Sequence, residues 1–452
     1  MAKPNVILFF TDQQRWDTLG LHGNRDGLTP NLDRLARQGT FFREATTPQP
    51  VCGPARSCIQ TGQYATTTGV WRNGPGLKKG TRSLARCFRE GGYRTAYIGK
   101  WHLSENTGEG PVPKRNRAGY EHWLAANAVE LVSGPYSSVL WNEDGEPVRL
   151  PGYRVDAQTD AAIRQIEAFT AKGRKPFLMG LSFLEPHHQN TDDSYPAPHG
   201  MEEILGRPQI PPDLRALGGS THEHWRGYCG MIKRLDEALG RLMDALHSLG
   251  QAENTIIVFL SDHGCHFKTR NSEYKRSPHE SSVRIPLALW GPGWNGGGEH
   301  TAPVSLVDLM PSLLESAGLP VPDEVEGTSF FGLTRGKPWR GPEEAFFQFG
   351  DGFLPPGRGL RTSRWKYAVT AAGEATGQPA AEAYHETHLY DLQADPHELR
   401  NLVDEPSHAE VRKHLRRRLR SRCRRVESAS PKIQPAPQKD SSGQRTVEYP
   451  GL

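Results

Sequence analysis

The chain has 452 residues, of which 23% are charged, and the two signs nearly cancel to leave a formal net charge of +4. A chain of this length can bury a large core, so we expect one big domain with a smaller partner domain. Because the charges nearly cancel, the net charge does not indicate a polyanionic partner such as a nucleic acid.

The beginning of the chain predicts no secretory signal, because its first apolar run, residues 6–10, is far shorter than the apolar region of a signal peptide. No run approaches the roughly 20 apolar residues that a membrane-spanning helix requires. The six cysteines form no CxxC pair and no dense framework, which is typical of a reducing compartment. We therefore expect a cytoplasmic protein with neither a membrane nor a nucleic acid among its partners.

Four apolar runs are typical of strands that are buried on both faces of a parallel sheet: residues 6–10, 94–98, 176–183 and 255–260. Helical patterns lie between and beside them, at residues 30–38, 83–90, 156–170 and 228–249. This alternation predicts an α/β fold in which helices sandwich a large, mixed and mostly parallel sheet.

Polar side chains follow each of the four runs. In chain order they are Asp12 and Gln13, Lys100 and His102, His187 and His188, and Asp262 and His263. Ligands of open α/β sheets bind outside the carboxyl ends of the strands, where these residues should meet. The sequence therefore predicts metal-type ligands and cations at one edge of the sheet.

The composition changes near residue 335, where glycine and proline become frequent and the apolar runs become shorter. We predict an α/β domain over residues 1–334, a smaller α+β subdomain over 335–426, and a tail over 427–452 that is flexible or bound to a partner. The basic run at 413–425 lacks aromatic residues, and Val411, Leu415 and Leu419 recur every four residues. This spacing favours an amphipathic helix with a solvated basic face over a nucleic-acid site.

The segment Cys52-Gly53-Pro54-Ala55-Arg56 has the most specific pattern in the chain. Proline suits the first turn of a helix, so Cys52 should lie just before a helix N-terminus, where backbone N–H groups favour an anion. Arg56, one turn along, could hold that anion through charge-assisted hydrogen bonds. Taken alone, the segment favours a buried cysteine at a turn, since buried free cysteines are common.

This segment, followed by Thr61-Gly62, resembles the signature of the type I sulfatases, in which the cysteine of C-x-P-x-R is oxidised to formylglycine. The resemblance covers nearly the whole chain and includes residues 4–12, 29–33, 99–103, 261–264 and 389–402. Ala55 stands where many members have serine. The resemblance implies an alkaline-phosphatase-like fold, hydrolysis of sulfate esters, and a maturation enzyme that generates the formylglycine at position 52.

The resemblance also implies one divalent metal ion held by Asp12, Gln13, Asp262, His263 and the modified Cys52. Hard oxygen donors favour Ca²⁺, with Mg²⁺ as an alternative, and the histidine nitrogen makes Mn²⁺ a further alternative. Many sulfatases have aspartate at the position of Gln13 and asparagine at that of His263, so this chain departs from the common pattern at two ligands.

The catalytic set that the resemblance implies is Cys52, Arg56, Lys100, His102, His187 and Lys275. The hydrated formylglycine attacks sulfur, and His187, assisted by Lys275, protonates the leaving alcohol. His102 then accepts a proton from the second hydroxyl, which expels sulfate and restores the aldehyde. Arg56 and Lys100 neutralise charge on the sulfuryl oxygens.

Two alternatives remain open: a phosphonate monoester or phosphodiester hydrolase of the same superfamily, and a metal-binding relative without catalysis. The expected substrate is a small-molecule or carbohydrate sulfate ester, with aryl, choline and sugar esters undecided, and a homo-oligomer is left open. We expect loops 106–117 and 133–149, with Tyr136, Trp141 and Arg149, to select the substrate. Four further histidines could line the pocket, but a position on the surface is favoured: His222, His224, His266 and His279.

Overall fold

A computed structural model describes residues 3–105, 110–173 and 175–436. It contains two β-sheets and a set of helices that pack against them. The strands of the larger sheet are, along the chain, β1 (Asn5–Thr11), β2 (Thr40–Phe42), β3 (Arg94–Lys100), β4 (His122–Ala126), β5 (Ser138–Trp141), β6 (Pro147–Leu150), β7 (Phe177–Ser182), β8 (Thr255–Ser261), β9 (Leu287–Trp290) and β10 (Gly298–His300). Those of the smaller sheet are β11 (Ala345–Phe349), β12 (Gly357–Arg361), β13 (Trp365–Thr370), β14 (Ala383–Asp391) and β15 (Lys432–Gln434).

The α-helices vary from one turn to almost eight turns in length. They are α1 (Pro30–Gln38), α2 (Cys52–Thr61), α3 (Ala65–Thr68), α4 (Leu84–Glu90), α5 (Val129–Val132), α6 (Arg154–Ala171), α7 (Met201–Leu205), α8 (Pro212–Ala216), α9 (Thr221–Ser248), α10 (Glu280–Val283), α11 (Leu309–Ser316) and α12 (Ala409–Glu427). The four predicted helical segments correspond to α1, α4, α6 and α9, although α9 begins earlier than its apolar pattern indicates. Among the described residues, no helix combines the length and the apolar character that crossing a lipid bilayer requires.

The larger sheet has the strand order β10-β2-β9-β8-β1-β7-β3-β4-β5-β6. The pairs β8–β1, β1–β7, β7–β3 and β3–β4 are parallel, and antiparallel pairs lie toward both ends. The four apolar runs of the sequence are β1, β3, β7 and β8, and these strands are adjacent in the centre of the sheet. The predicted α/β architecture is therefore confirmed, and the four strand ends lie together at one edge.

Alternate side chains of β1 pack into two different cores, which explains why its sequence is apolar without interruption. Val6, Leu8 and Phe10 pack on the face covered by α4 and α11, and Ile7 and Phe9 pack on the face covered by α6 and α9. All five are buried, and each such side chain stabilises the fold by about 1.5–3 kcal/mol. Helices on both faces leave only the edges of the sheet for polar chemistry.

The smaller sheet is antiparallel from β11 to β14 and is covered by α12. Val411, Leu415 and Leu419 of α12 are buried in its core, which confirms the amphipathic helix that the four-residue spacing predicts.

The structure corrects the predicted start of the tail, because residues 432–434 form β15 and pair in parallel with β14. Ile433 is buried, and the backbone N–H of Ala436 donates to a carboxylate oxygen of Glu386 at 3.0 Å. Two buried apolar side chains, Ile433 and Ala436, together with the backbone pairing, hold a segment whose polar composition is typical of a disordered tail. Residues 437–452 of the predicted tail lie outside the described residues.

Candidate active site

The central strands bring their polar residues to one edge of the large sheet. Asp12 follows β1, Lys100 ends β3, His187 lies beyond β7, and Asp262 follows β8. All four side chains are buried. The carboxyl edge of the sheet is thus a buried polar site, as the residues after the four apolar runs predict.

Cys52 is the first residue of α2, one position later in the helix than the sequence predicts. Val51 precedes it in an extended conformation, and Pro54 occupies the first turn. The backbone N–H of Gly53 donates to the side-chain oxygen of Asn73 at 2.9 Å, which satisfies one of the open donors at the start of the helix. The side chain of Cys52 is 1% exposed, so α2 points it into the protein rather than into solvent.

Four charged or ionisable groups surround the sulfur of Cys52. The distances from Sγ are 3.0 Å to Lys275 Nζ, 3.3 Å to His263 Nε2, 3.6 Å to Asp12 Oδ1 and 3.8 Å to Lys100 Nζ. Burial alone would raise the pKa of the thiol, but Lys100, Lys275 and His263 outweigh it and hold that pKa well below its usual value. Position 52 is therefore a place where negative charge is stabilised.

Four residues offer metal ligands within 4.8 Å of one another: Asp12, Cys52, Asp262 and His263. His263 Nδ1 lies 2.9 Å from the carbonyl oxygen of Gly264, so Nδ1 carries the hydrogen and Nε2 keeps its lone pair for a ligand. The side-chain oxygen of Gln13 is buried beside this cluster without a hydrogen-bond partner. Two carboxylates, an imidazole nitrogen and a free amide oxygen are a donor set that fits a divalent cation.

The two carboxylates differ in their electrostatic surroundings. Although burial opposes it, Lys100 and the other nearby cations lower the pKa of Asp12 well below its usual value. Burial and the neighbouring Asp12 raise the pKa of Asp262 to about 6. Arg56 lies against both, with its guanidinium 2.9 Å from Asp12 Oδ2 and 3.3 Å from Asp262 Oδ2. The arginine thus keeps two buried like charges together.

Arg56 makes further contacts through Nη1 and the face of its guanidinium. Its Nη1 donates to the carbonyl oxygen of Lys100 at 2.7 Å and to Ser182 Oγ at 2.8 Å, and its guanidinium lies 4.5 Å from the centre of the Phe10 ring. These contacts tie α2 to the ends of β1, β3 and β7.

Glu130, on the short helix α5, is a site residue that the sequence analysis missed. Its Oε1 lies 3.0 Å from Lys100 Nζ and 3.9 Å from His102 Nδ1. Burial opposes ionisation of the carboxyl, but Lys100 and His102 lower its pKa to about 2. No local pattern marks this glutamate, since it joins the site only through the packing of α5 beside the end of β3.

His187 and Lys275 form a close pair, with 3.0 Å between His187 Nε2 and Lys275 Nζ. His187 Nδ1 lies 2.7 Å from the carbonyl oxygen of His188, so Nδ1 donates there and Nε2 accepts from the lysine. Burial, followed by the charge of Lys275, lowers the pKa of His187. The ring of His188 stacks on that of His187, with 4.3 Å between the ring centres, and makes a tilted contact with Tyr274 at 4.4 Å.

The structure brings together all the predicted site residues around position 52: Asp12, Gln13, Arg56, Lys100, His102, His187, Asp262, His263 and Lys275.

The expectation of surface histidines holds for His222 and is wrong for the other three, which are buried. His266 lies 2.9 Å from the carbonyl oxygen of Lys275, His279 lies 3.1 Å from the hydroxyl of Tyr390, and His224 packs on Tyr195. Each ring finds a polar or aromatic partner inside the protein, which a local sequence pattern does not reveal.

Of the expected specificity loops, residues 106–109 lie outside the described residues. Trp141 and Arg149 lie on β5 and β6, the last two strands at one end of the sheet. Tyr136 stacks on His199 with 4.6 Å between ring centres.

Comparison with known proteins identifies relatives over almost the whole chain. Residues 4–319 match the family described as Sulfatase, and residues 273–425 match the C-terminal region of N-sulphoglucosamine sulphohydrolase. The Ulvan-active sulfatase of Formosa agariphila is 31% identical over 92% of this chain and 80% of its own length. The N-acetylglucosamine-6-O-sulfatase of Bacteroides thetaiotaomicron is 24% identical over 91% of this chain and 85% of its own. The crystal structure of yidJ from Bacteroides fragilis superimposes with a TM-score of 0.78 and 25% identity, and covers 94% of this chain and 96% of that one.

Proposed function

The chain belongs to the sulfatase family and hydrolyses sulfate esters, and we propose that its nucleophile is a formylglycine made from Cys52. The observation that carries this proposal is the position of Cys52 at the start of α2, where two lysines and His263 surround its side chain. Because the side chain is 1% exposed, the conversion requires a maturation enzyme that acts before the chain has folded.

We propose that Asp12, Gln13, Asp262 and His263 hold one divalent ion next to residue 52, with Ca²⁺ as the first candidate and Mn²⁺ or Mg²⁺ as alternatives. The partnerless oxygen of Gln13 and the contact of His263 Nε2 with position 52 support this ligand set. When bound, such an ion withdraws charge from an oxygen ligand and lowers the pKa of a hydroxyl.

Lys100 and Lys275 bind the sulfate group in this proposal. Both ammonium groups lie within 4 Å of Cys52 Sγ, which marks the position of the attacking oxygen. The resemblance to the type I sulfatases implies that Arg56 contacts the sulfuryl oxygens. In the structure, Arg56 instead donates hydrogen bonds to Asp12, to Ser182 and to a backbone carbonyl. We therefore assign to Arg56 the role of holding the two carboxylates in place.

The pair His187–Lys275 delivers the proton to the leaving alcohol. In the resting arrangement the Nε2 lone pair of His187 accepts from Lys275, so the proton that can be transferred sits on the lysine side of the hydrogen bond. As the bond from sulfur to the leaving oxygen breaks, that oxygen takes this proton from the pair.

His102 accepts the second proton, from residue 52, when sulfate is released. Glu130 Oε1 lies 3.9 Å from its Nδ1 and stabilises the imidazolium that results. The same oxygen holds Lys100 at 3.0 Å, so one carboxylate positions both a sulfate-binding cation and a base.

The decisive experiment combines mass spectrometry of the peptide containing residue 52 with turnover of sulfate esters by the same sample. We expect formylglycine at position 52 in active protein. We expect no activity in a sample with intact thiol or in Cys52→Ala. Turnover by protein that carries only thiol at position 52 would refute the nucleophile.

We further propose that the site belongs to an N-terminal domain, residues 1–334, with 335–426 as a second domain. A carbohydrate sulfate ester is the favoured substrate, supported by the named activities of two relatives. The cytoplasmic location stays a prediction that rests on six unpaired cysteines.

A further inference from the structure

The loop at residues 350–356, which joins β11 to β12 in the smaller sheet, reaches the rim of the active site. Gln49 Nε2 donates to the carbonyl oxygens of Gly350 and Trp71, at 3.2 and 2.6 Å. On its other side the carboxylate of Asp351 accepts from Arg276 Nε at 2.8 Å. Arg276 directly follows Lys275, and its backbone N–H donates to the carbonyl oxygen of Pro50 at 3.3 Å. The loop is therefore fixed between the segment that leads into Cys52 and the segment that carries Lys275.

This loop presents Phe353 to solvent at the rim. The phenyl side chain is 71% exposed, and the guanidinium of Arg276 lies 4.8 Å from the ring centre. Phe353 thus lies next to Arg276, the residue that follows Lys275 in the site, and aromatic side chains are frequent in ligand-binding sites. One face of the ring is occupied by Arg276, and the ring remains largely open to a ligand.

Arg72 lies beside the same loop. Its guanidinium lies 5.2 Å from the Trp71 ring centre, and a Cβ at Gly352 would lie 4.0 Å from Arg72 Cδ. The adjacent Asn73 contacts the N-terminus of α2 at Gly53. Arg276 is paired with Asp351 and Glu273, whereas in the part of the chain that the structure describes no carboxylate lies within ion-pair distance of Arg72.

We propose that Phe353 and Arg72 bind the saccharide part of the substrate, an inference that rests on the proposed function. Phe353 stacks on the apolar face of the sugar ring, and Arg72 pairs with a second anionic group, either another sulfate or a uronate carboxylate. The reacting sulfate is already matched by Lys100 and Lys275, so the exposed cation at the rim is available for further negative charge. A choline ester fits poorly, because its ammonium group would approach Arg72.

The test uses mature full-length enzyme and compares kcat/KM on matched sulfate esters. Propyl sulfate has an alcohol leaving group without a ring, a monosulfated hexose adds the ring, and two further substrates add a second sulfate or a uronate. Phe353→Ala should lower the ratio of kcat/KM for each sugar ester to that for propyl sulfate by about 3–10-fold, the size of an aromatic contact. Ile204→Ala, at another exposed apolar residue, should leave the ratio unchanged.

Arg72→Gln should lower kcat/KM about 2–5-fold only on the two doubly charged esters, and the loss should disappear at high salt. Arg37→Gln, at an exposed arginine of α1, is its control. Comparing the disulfated and uronate substrates identifies which anion Arg72 prefers. Equal losses on all four esters, or an unchanged ratio in Phe353→Ala, would overturn the inference. Turnover of propyl sulfate but of no sugar ester would overturn it, and with it the proposed carbohydrate substrate, while leaving the proposed nucleophile intact, and failure to hydrolyse any sulfate ester would refute all of them.

Discussion

Removing His187 and Lys275, singly and together, tests whether the two residues act as one proton donor. A general acid contributes about 10²–10⁴-fold on a substrate with a poor leaving group. Because Lys275 Nζ lies 3.0 Å from His187 Nε2, we expect each single alanine variant to lose about that factor on an alkyl sulfate. The double variant should lose little more, since removing either residue already breaks the unit.

The comparison substrate is 4-nitrophenyl sulfate, whose leaving phenolate hardly needs a proton. His187→Ala should retain most of its activity on this ester. Lys275→Ala should lose activity on it as well, because Lys275 also lies 3.0 Å from the nucleophilic position. Steady-state kcat/KM on both esters, with thermal unfolding as a check of folding, gives the result.

The pH dependence supplies an independent check. Burial first, and Lys275 second, lower the pKa of His187, so Lys275→Ala should raise that pKa toward its usual value. The alkyl sulfatase activity of this variant should then increase as pH falls toward the new pKa, because more His187 is protonated. Losses in the double variant that equal the product of the single losses would contradict the paired donor, as would equal losses of His187→Ala on both esters.

Three further outcomes follow from the same contacts. Arg56→Ala leaves two buried carboxylates without their shared cation and should lower the free energy of unfolding by about 3–5 kcal/mol, measured by denaturant titration; a loss below 1 kcal/mol would contradict its positioning role. Glu130→Gln removes a charge 3.9 Å from His102. An interaction over this distance is worth about 1–4 kcal/mol, so kcat/KM should fall about fivefold to several hundredfold. Chelation should abolish activity without unfolding the protein, and activity restored ion by ion, alongside elemental analysis, identifies the metal; full activity of verified metal-free protein would contradict the ligand set.

Local sequence patterns predicted the central strands of the large sheet and the polar residues that follow them. They did not predict the residues that other elements bring to the site. The four central strands are continuous apolar runs in the sequence. The meeting of the polar residues that follow them could be predicted because parallel strands end at one edge of a sheet. Glu130, Asn73 and Phe353 enter the site from α5, from the segment after α3 and from a loop of the second sheet, so only tertiary packing brings them there. Strand β15 was missed for a related reason, since backbone pairing and the burial of Ile433 and Ala436 hold a segment of largely polar composition.

The charges around position 52 couple stability to activity for the buried charged residues of this site. Three buried cations face three buried carboxylates: Arg56, Lys100 and Lys275 against Asp12, Asp262 and Glu130. The two sets cancel, and because Gln13 and His263 add neutral ligands, a divalent ion would leave about two positive charges for the sulfate ester and its transition state. A third carboxylate among the ligands would remove one of them. Any substitution that deletes one member of this set therefore unpairs a buried charge, and the same substitution changes the field in which negative charge develops on sulfate.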